Sequence, residues 1–141
     1  MAVKIIYMVH GTTQDNIDHL ASGHNDIELC ERWLREAEEL GGQRQDVFDV
    51  VISSDLKRAV DTAKLAFSGR CSYIQDVRLR ECDYGDLTQK SKDWSIADYV
   101  ETRYSNGESY LDVEKRMALF LVFLKEQYDG KCVGIIAHQW P

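Results

Sequence analysis

Residues 3–13 read Val3-Lys4-Ile5-Ile6-Tyr7-Met8-Val9-His10-Gly11-Thr12-Thr13, an apolar run that breaks on a histidine, a glycine and two hydroxyls. A run of this kind, from Val3 to Val9, suits a strand buried on both faces, as the strands of parallel sheets are. A signal peptide needs a longer apolar core and a small-residue cleavage site. The stretch is therefore read as the first strand of a folded domain, and a cytoplasmic protein is expected. No segment approaches the length of a membrane span.

Outward from this strand the hydrophobic period changes. From Ile27 a helical pattern takes over, with Leu29, Trp33, Leu34, Ala37 and Leu40 on one stripe and Gly41-Gly42 as the expected stop. Phe48 to Ile52 is a second apolar run, closed by Ser53-Ser54, and a helix follows with Leu56, Ala59, Ala63 and Phe67 inward. Ser72-Tyr73-Ile74 reads as a short strand, and Val77 to Gly85 fits no simple pattern. After a polar stretch, Asp86 to Asp93, a short helix is expected around Ile96 to Tyr104. The longest helical pattern runs from Ser109 to Tyr128, with Leu111, Met117, Phe120, Leu121 and Leu124 as its apolar stripe. Lys131 to Ala137 is a last apolar strand that runs into His138.

Strands thus alternate with helices along one domain, residues 1–141. That order predicts a three-layer α/β/α sandwich with a mostly parallel central sheet, apparently shortened at its C-terminus. Ligands of such folds sit at the carboxyl ends of the strands. His10, Ser53-Ser54 and His138 each follow a predicted strand, so three strand ends bring two histidines and a polar loop to one edge.

Composition narrows the function classes. The formal net charge of −7 argues against a nucleic-acid binder, which needs a basic face to release counterions. A small phosphorylated ligand is compatible with it, because a few local cations can hold such a ligand inside an acidic protein. The four cysteines, Cys30, Cys71, Cys82 and Cys132, contain no Cys-x-x-Cys pair, so no metal site is expected and free thiols are. A redox role for the cysteines ranks well behind, and at Cys82 the neighbouring Glu81 disfavours a thiolate.

Each candidate residue has a plain structural reading beside its chemical one. A lone histidine after a strand is more often a hydrogen-bonded structural residue than a catalyst. Here Gly11, Thr12, Thr13 and Asn16 follow His10 with a close-approaching backbone, two hydroxyls and an amide. Ser53-Ser54-Asp55-Leu56-Lys57-Arg58 presents hydroxyls and N–H groups at the positive end of a helix, and Arg58 could add a phosphate fork. Taken alone, that stretch reads rather as a capped helix with solvated Lys57 and Arg58. Glu81 and His138 by themselves read as a loop acid and a structural histidine.

Together these residues resemble one family in order and spacing. Histidine phosphatases, the phosphoglycerate-mutase-like superfamily, open with a strand running into Arg-His-Gly-x-Thr-x-x-Asn. The chain has Val9, His10, Gly11, Thr12, Thr13 and Asn16 there. Their second signature is similar to Ser53, Ser54, Leu56, Arg58, Ala59, Thr62 and Ala63, and their third to Leu79-Arg80-Glu81 with Tyr84-Gly85. Gly107-Glu108-Ser109 before a long helix and His138 after the final strand also fit.

The resemblance implies a phosphomonoester hydrolase that acts through a phosphohistidine on a small phosphorylated substrate, without metal or cofactor. It makes His10 the nucleophile and Glu81 the proton donor and acceptor. Arg58 and His138 would hold the phosphoryl oxygens, and Gly11, Thr13 and Asn16 would complete the substrate pocket. A neutral imidazole is a competent nucleophile near pH 7. Two other readings stay open: a degenerate phosphate-binding member of the fold, and a phosphoglycerate-mutase-type phosphotransferase.

Three departures bear on this. Val9 replaces the family's arginine, whose loss as a phosphate clamp would remove roughly 2–4 kcal/mol of transition-state stabilisation. Arg80 is the candidate to compensate, by its place next to Glu81. Trp33 stands where the family's first-helix signature has glycine. Gln139-Trp140-Pro141 follows His138 where many members have glycine and then further chain. A segment lacking there would leave apolar surface that a partner, or a second copy in a homodimer, would be expected to cover. Specificity is expected from the stretch between Asp86 and Asn106. Trp94 and Tyr99 within it could wall the site, although such aromatics more often pack cores.

Overall fold

The computed structural model describes residues 2–43 and 47–139. Its frame is a four-stranded sheet in the order β1-β4-β2-β3, with β1 Lys4–Val9, β2 Val50–Ser53, β3 Ser72–Gln75 and β4 Cys132–Ala137. Every neighbouring pair is parallel. The helices are α1 Gln14–Asp18, α2 Glu31–Gln43, α3 Lys57–Phe67 and α4 Tyr110–Gln127.

The period of two in the strands divides the core. Met8, Val51 and Ile136 point to the face covered by α3, where they meet Ala59, Ala63 and Phe67. Val50, Ile52, Val133 and Ile135 point to the other face and pack on Phe120 and Leu124 of α4. The result is the three-layer α/β/α arrangement expected from the alternation of strands and helices. A third cluster, around Tyr84, Tyr104 and Val113, lies under the loop region between β3 and α4.

Several local expectations give way. β1 is an edge strand, not one buried on both faces. Its even residue Met8 is buried, while Ile5, Tyr7 and Val9 are 40%, 43% and 51% exposed, because α4 covers β4 and β2 and stops short of β1. Helix α2 starts at Glu31; before it, Leu29 bridges to Thr13 and the Cys30 N–H donates to the Thr12 carbonyl. Gly41 does not end the helix. A Cβ there would lie 2.8 Å from the Ala66 carbonyl oxygen, so this glycine lets α2 and α3 approach closely. Only Ile96–Tyr99 of the expected short helix forms, as a single 3₁₀ turn.

Helix α4 is bounded by a capping box in which Ser109 and Asp112 each accept the other's backbone N–H. Its buried residues are Val113, Phe120 and Leu124, whereas Leu111 and Leu121, expected inward, are 37% and 49% exposed. Val113, Phe120 and Leu124 recur at intervals of seven and four, which holds one face of a 3.6-residue period. No helix among the described residues is long and apolar enough to cross a membrane.

Candidate active site

The parallel register decides which residues meet. Val9 pairs with Ala137 across β1 and β4, so the residues that follow, His10 and His138, leave the sheet side by side. Their ring centroids are 5.1 Å apart, tilted by 58°. The His10 N–H donates to the Ala137 carbonyl, which extends the ladder by one bond and holds the nucleophile candidate against the sheet.

The His10 ring is oriented from its own chain. Nδ1 lies 2.6 Å from the Gly11 carbonyl oxygen, so Nδ1 carries the proton and donates it there. That tautomer leaves the lone pair on Nε2. Burial, and next the charge of Arg58, lower the His10 pKa to about 4, so the ring is neutral at pH 7. The same two causes lower the pKa of His138.

His138 and Arg58 are fully buried, and some of their polar atoms, like the Trp33 indole N–H, are left without a partner among the described residues. Nδ1 and Nε2 of His138 and Nε of Arg58 have no hydrogen-bond partner among the described residues. Buried polar atoms without partners are rare because each carries a desolvation penalty of about 1–3 kcal/mol. Arg58 is anchored at its far end, where Nη1 and Nη2 donate to the carbonyls of Asn25 and Gly23. It therefore fixes the loop of residues 22–26 while its charge faces the two histidines. The His138 carbonyl is held by the Tyr7 hydroxyl at 2.6 Å.

A pocket of about 190 Å³ opens in front of His10, lined by Val9, Gly11, Thr12, Asn16, Glu81, Lys92 and Gln139. Glu81 is 7% exposed, and its backbone is clamped from two sides. His24 Nε2 meets the Glu81 carbonyl oxygen at 2.9 Å, and Arg116 Nη2 donates to it at 3.1 Å. Arg116 also donates to the Arg78 carbonyl and pairs with Glu108, which in turn accepts the Asp83 N–H. The carboxylate candidate thus sits on a segment tied down before and after it.

Other expected site residues have different jobs. Thr13 is buried as the N-cap of α1, in a capping box with Asn16, and does not line the pocket. Asn16 lines it with one end only, since its Oδ1 accepts from the Thr13 N–H and hydroxyl. The Gly11 N–H donates to Thr62 Oγ1, so this backbone donor is committed. Ser53 and Ser54 are buried and bond locally, to Tyr73 and to the Leu56 N–H. Arg80 does not reach the pocket. Its guanidinium forms a two-point pair with Asp55, at 2.7 and 2.8 Å, so it does not replace the arginine missing at position 9.

The cation that does line the pocket is Lys92, from the polar stretch after Gly85. Its charge also acts on His10. No sequence period marks this residue; only the return of the loop across the strand ends brings it there. Among the described residues no three His, Cys, Asp or Glu converge as metal ligands would. All four cysteines are free, and burial with nearby Glu108 and Glu81 pushes the Cys82 thiol up to about 12.

The model of the histidine phosphatase superfamily (branch 1) matches residues 5–141. The chain belongs to that superfamily. A histidine phosphatase of this kind is a metal-independent phosphoric monoester hydrolase. The chain is 31% identical over 143 residues to the adenosylcobalamin/alpha-ribazole phosphatase of Escherichia coli K12, across 92% of this chain and 70% of that one. It is 32% identical over 149 residues to a 2,3-bisphosphoglycerate-dependent phosphoglycerate mutase of Methylorubrum extorquens, with the same two coverages of 92% and 70%. Among solved structures, the alpha-ribazole phosphatase of Shigella flexneri superposes with a TM-score of 0.84 at 30% identity, covering 96% of this chain and 73% of that one.

Proposed function

We propose that this histidine phosphatase hydrolyses a small phosphomonoester in the cytoplasm, with His10 as nucleophile and Glu81 as general acid and base. The observation that carries the reading is the set of unpartnered atoms beside His10: both ring nitrogens of His138 and Nε of Arg58, all buried. A phosphoryl group bonded to His10 Nε2 brings oxygens that accept from the Arg58 Nε–H and from the one ring nitrogen of neutral His138 that carries a proton. The four free cysteines accord with a reducing compartment.

In the first step the Nε2 lone pair forms the N–P bond while the P–O bond to the leaving group breaks, and Glu81 delivers its proton to that oxygen. Positive charge that develops on the imidazole is met by the Gly11 carbonyl at Nδ1–H. Arg58, His138 and Lys92 oppose the negative charge spread over the equatorial oxygens. In the second step Glu81 takes a proton from water as its oxygen attacks phosphorus. The P–N bond then breaks, and inorganic phosphate leaves with His10 neutral again. With valine at position 9, Lys92 is the cation nearest the mouth of the pocket and takes the part of the absent arginine.

Similarity to a phosphoglycerate mutase supports a second reading, transfer of the phosphoryl group to another hydroxyl of substrate. The half-buried His10 at an open pocket favours water as acceptor. The test is phosphate release from simple phosphomonoesters by the wild-type chain and by His10→Ala, with acid-labile phosphohistidine followed in parallel. Release and the phosphohistidine signal are both expected in wild type and neither in the variant. Turnover that survives His10→Ala would sink the mechanism, and isomerisation of a substrate without phosphate release would favour the mutase.

A further inference from the structure

A second cleft, of about 200 Å³, continues the phosphoryl pocket, because both share Lys92 and Gln139 as walls. Beyond those two residues its walls are Tyr84, Trp94, Ile96 and Tyr110. What these side chains turn towards the cleft follows from where their polar atoms go. The Trp94 indole N–H donates to the Tyr104 hydroxyl at 2.8 Å, and that hydroxyl lies 3.0 Å from the hydroxyl of Tyr110. Tyr84 shares a further hydrogen bond with Tyr110. The polar edges of the cluster are thus spent on one another, and carbon surfaces and ring faces are left for the cleft. Trp94 and Tyr84 also brace each other edge to face, with centroids 5.7 Å apart, so the wall is rigid before anything binds.

We infer that the phosphomonoesters this site prefers carry a flat aromatic ring on the leaving group, which stacks in the cleft walled by Trp94, Ile96 and Tyr110. The inference rests on the phosphatase reading for the position of the phosphoryl group. Past the Lys92 and Gln139 end of the cleft, a hydroxyl-rich or charged leaving group would press its polar atoms on aromatic and aliphatic carbon. An aromatic ring meets the same faces with its own and loses no hydrogen bond. Lys92 and Gln139 stand at the junction, where the polar link between ring and phosphate passes. Trp94 thus has both uses that its sequence position allowed: its indole N–H bonds within the core cluster while the side chain also lines the cleft.

The test separates binding from chemistry. Isothermal titration compares 2-phenylethylphosphonate with ethylphosphonate, two non-hydrolysable probes that differ by the ring. Wild type is expected to bind the aromatic probe about tenfold tighter or better, a preference that ring stacking and burial can supply. Trp94→Ala should reduce that ratio to about threefold or less. Ile96 is 38% exposed, so Ile96→Asp, which puts a charge on the wall without opening the core, serves as the second variant if Trp94→Ala fails to fold. Equal affinities in wild type, no binding of either probe, or a preference untouched by both variants would each overturn the inference. Turnover of phenethyl and ethyl phosphate, whose leaving alkoxides are similar in basicity, is measured alongside. Turnover without an aromatic preference leaves the phosphatase and removes the cleft, whereas preferential binding without turnover does the reverse.

Discussion

Gly11→Ala is the substitution whose effect the geometry states most directly. A Cβ at this position would lie 1.9 Å from Trp33 Cδ2, 2.2 Å from Cε2 and 2.3 Å from Cγ. Carbon atoms rest about 3.5–4.0 Å apart, so the indole would have to retreat by about 1.5–2 Å. Trp33 is 7% exposed and held by α2, which leaves no such room. Either the ring leaves the core, a loss of about 3–5 kcal/mol for a buried tryptophan, or the chain at Gly11 moves. The second course breaks the 2.9 Å bond to Thr62 and carries His10 with it. Gly11→Ala should therefore destabilise by about 3 kcal/mol or more, and by urea titration its midpoint should drop without a change in slope. The decisive form is a double-mutant cycle. In a Trp33→Ala background the clash is gone, and adding Gly11→Ala should then take away less than about 1 kcal/mol. Additive losses across the cycle, or a Gly11→Ala protein as stable as wild type, would refute the packing argument. The cycle also explains the departure from family pattern at position 33: the large ring fills the space over a glycine that must stay glycine.

Two further outcomes are expected. Because His10 titrates at about 4 when folded, kcat/KM for phosphomonoester hydrolysis should stay level from pH 7 down to about 5 and fall only below that. The unfolded imidazole takes its proton near 6.5, so stability is full above that pH and drains as pH falls from about 6.5 towards 4. An acid limb centred on 6.5, or a urea midpoint as acid-sensitive in His10→Ala as in wild type, would contradict the buried neutral ring. Arg116→Met should lower stability by about 2–4 kcal/mol, since it strips a donor from each of two carbonyls and takes the guanidinium away from half-buried Glu108, which is left with the Asp83 N–H and a 3.8 Å approach of His24. Its kcat should fall more than its KM rises, because the segment carrying Glu81 loses its clamp; Glu108→Gln added to it should restore part of the stability, and no restoration would argue against the pair.

Much of this was legible along the chain because it depends on neighbours in sequence. The alternation of apolar runs with 3.6-residue patterns placed the strands and the long helices within a few residues, and from that order came the layered α/β fold. Strand ends pointed to His10 and His138, and the resemblance to the histidine phosphatase motifs added Arg58 and Glu81. Thr13 and Asn16 were named for the pocket, yet their hydroxyl and amide are largely spent on capping α1, a local use that motif spacing does not distinguish. Gly41 read as a helix stop because glycine is conformationally cheap at a helix end. Its neighbour across space, Ala66, assigns it a packing role instead.

What depends on distant residues could not be read in advance. An apolar run does not say whether its strand lies at the centre of the sheet or at its edge, since both faces of β1 carry the same residue types and only the position of α4 exposes one of them. Arg80 and Lys92 are both cations near Glu81 in the chain. The turn after Leu79 gives Arg80 to Asp55, and the loop after Gly85 returns Lys92 to His10. The sequence carries the chemistry of a site in its residue types and their order. Which cation reaches the phosphoryl group, and which rings face a substrate, are set by long-range packing, where side chains more than ten residues apart compete for the same few ångströms.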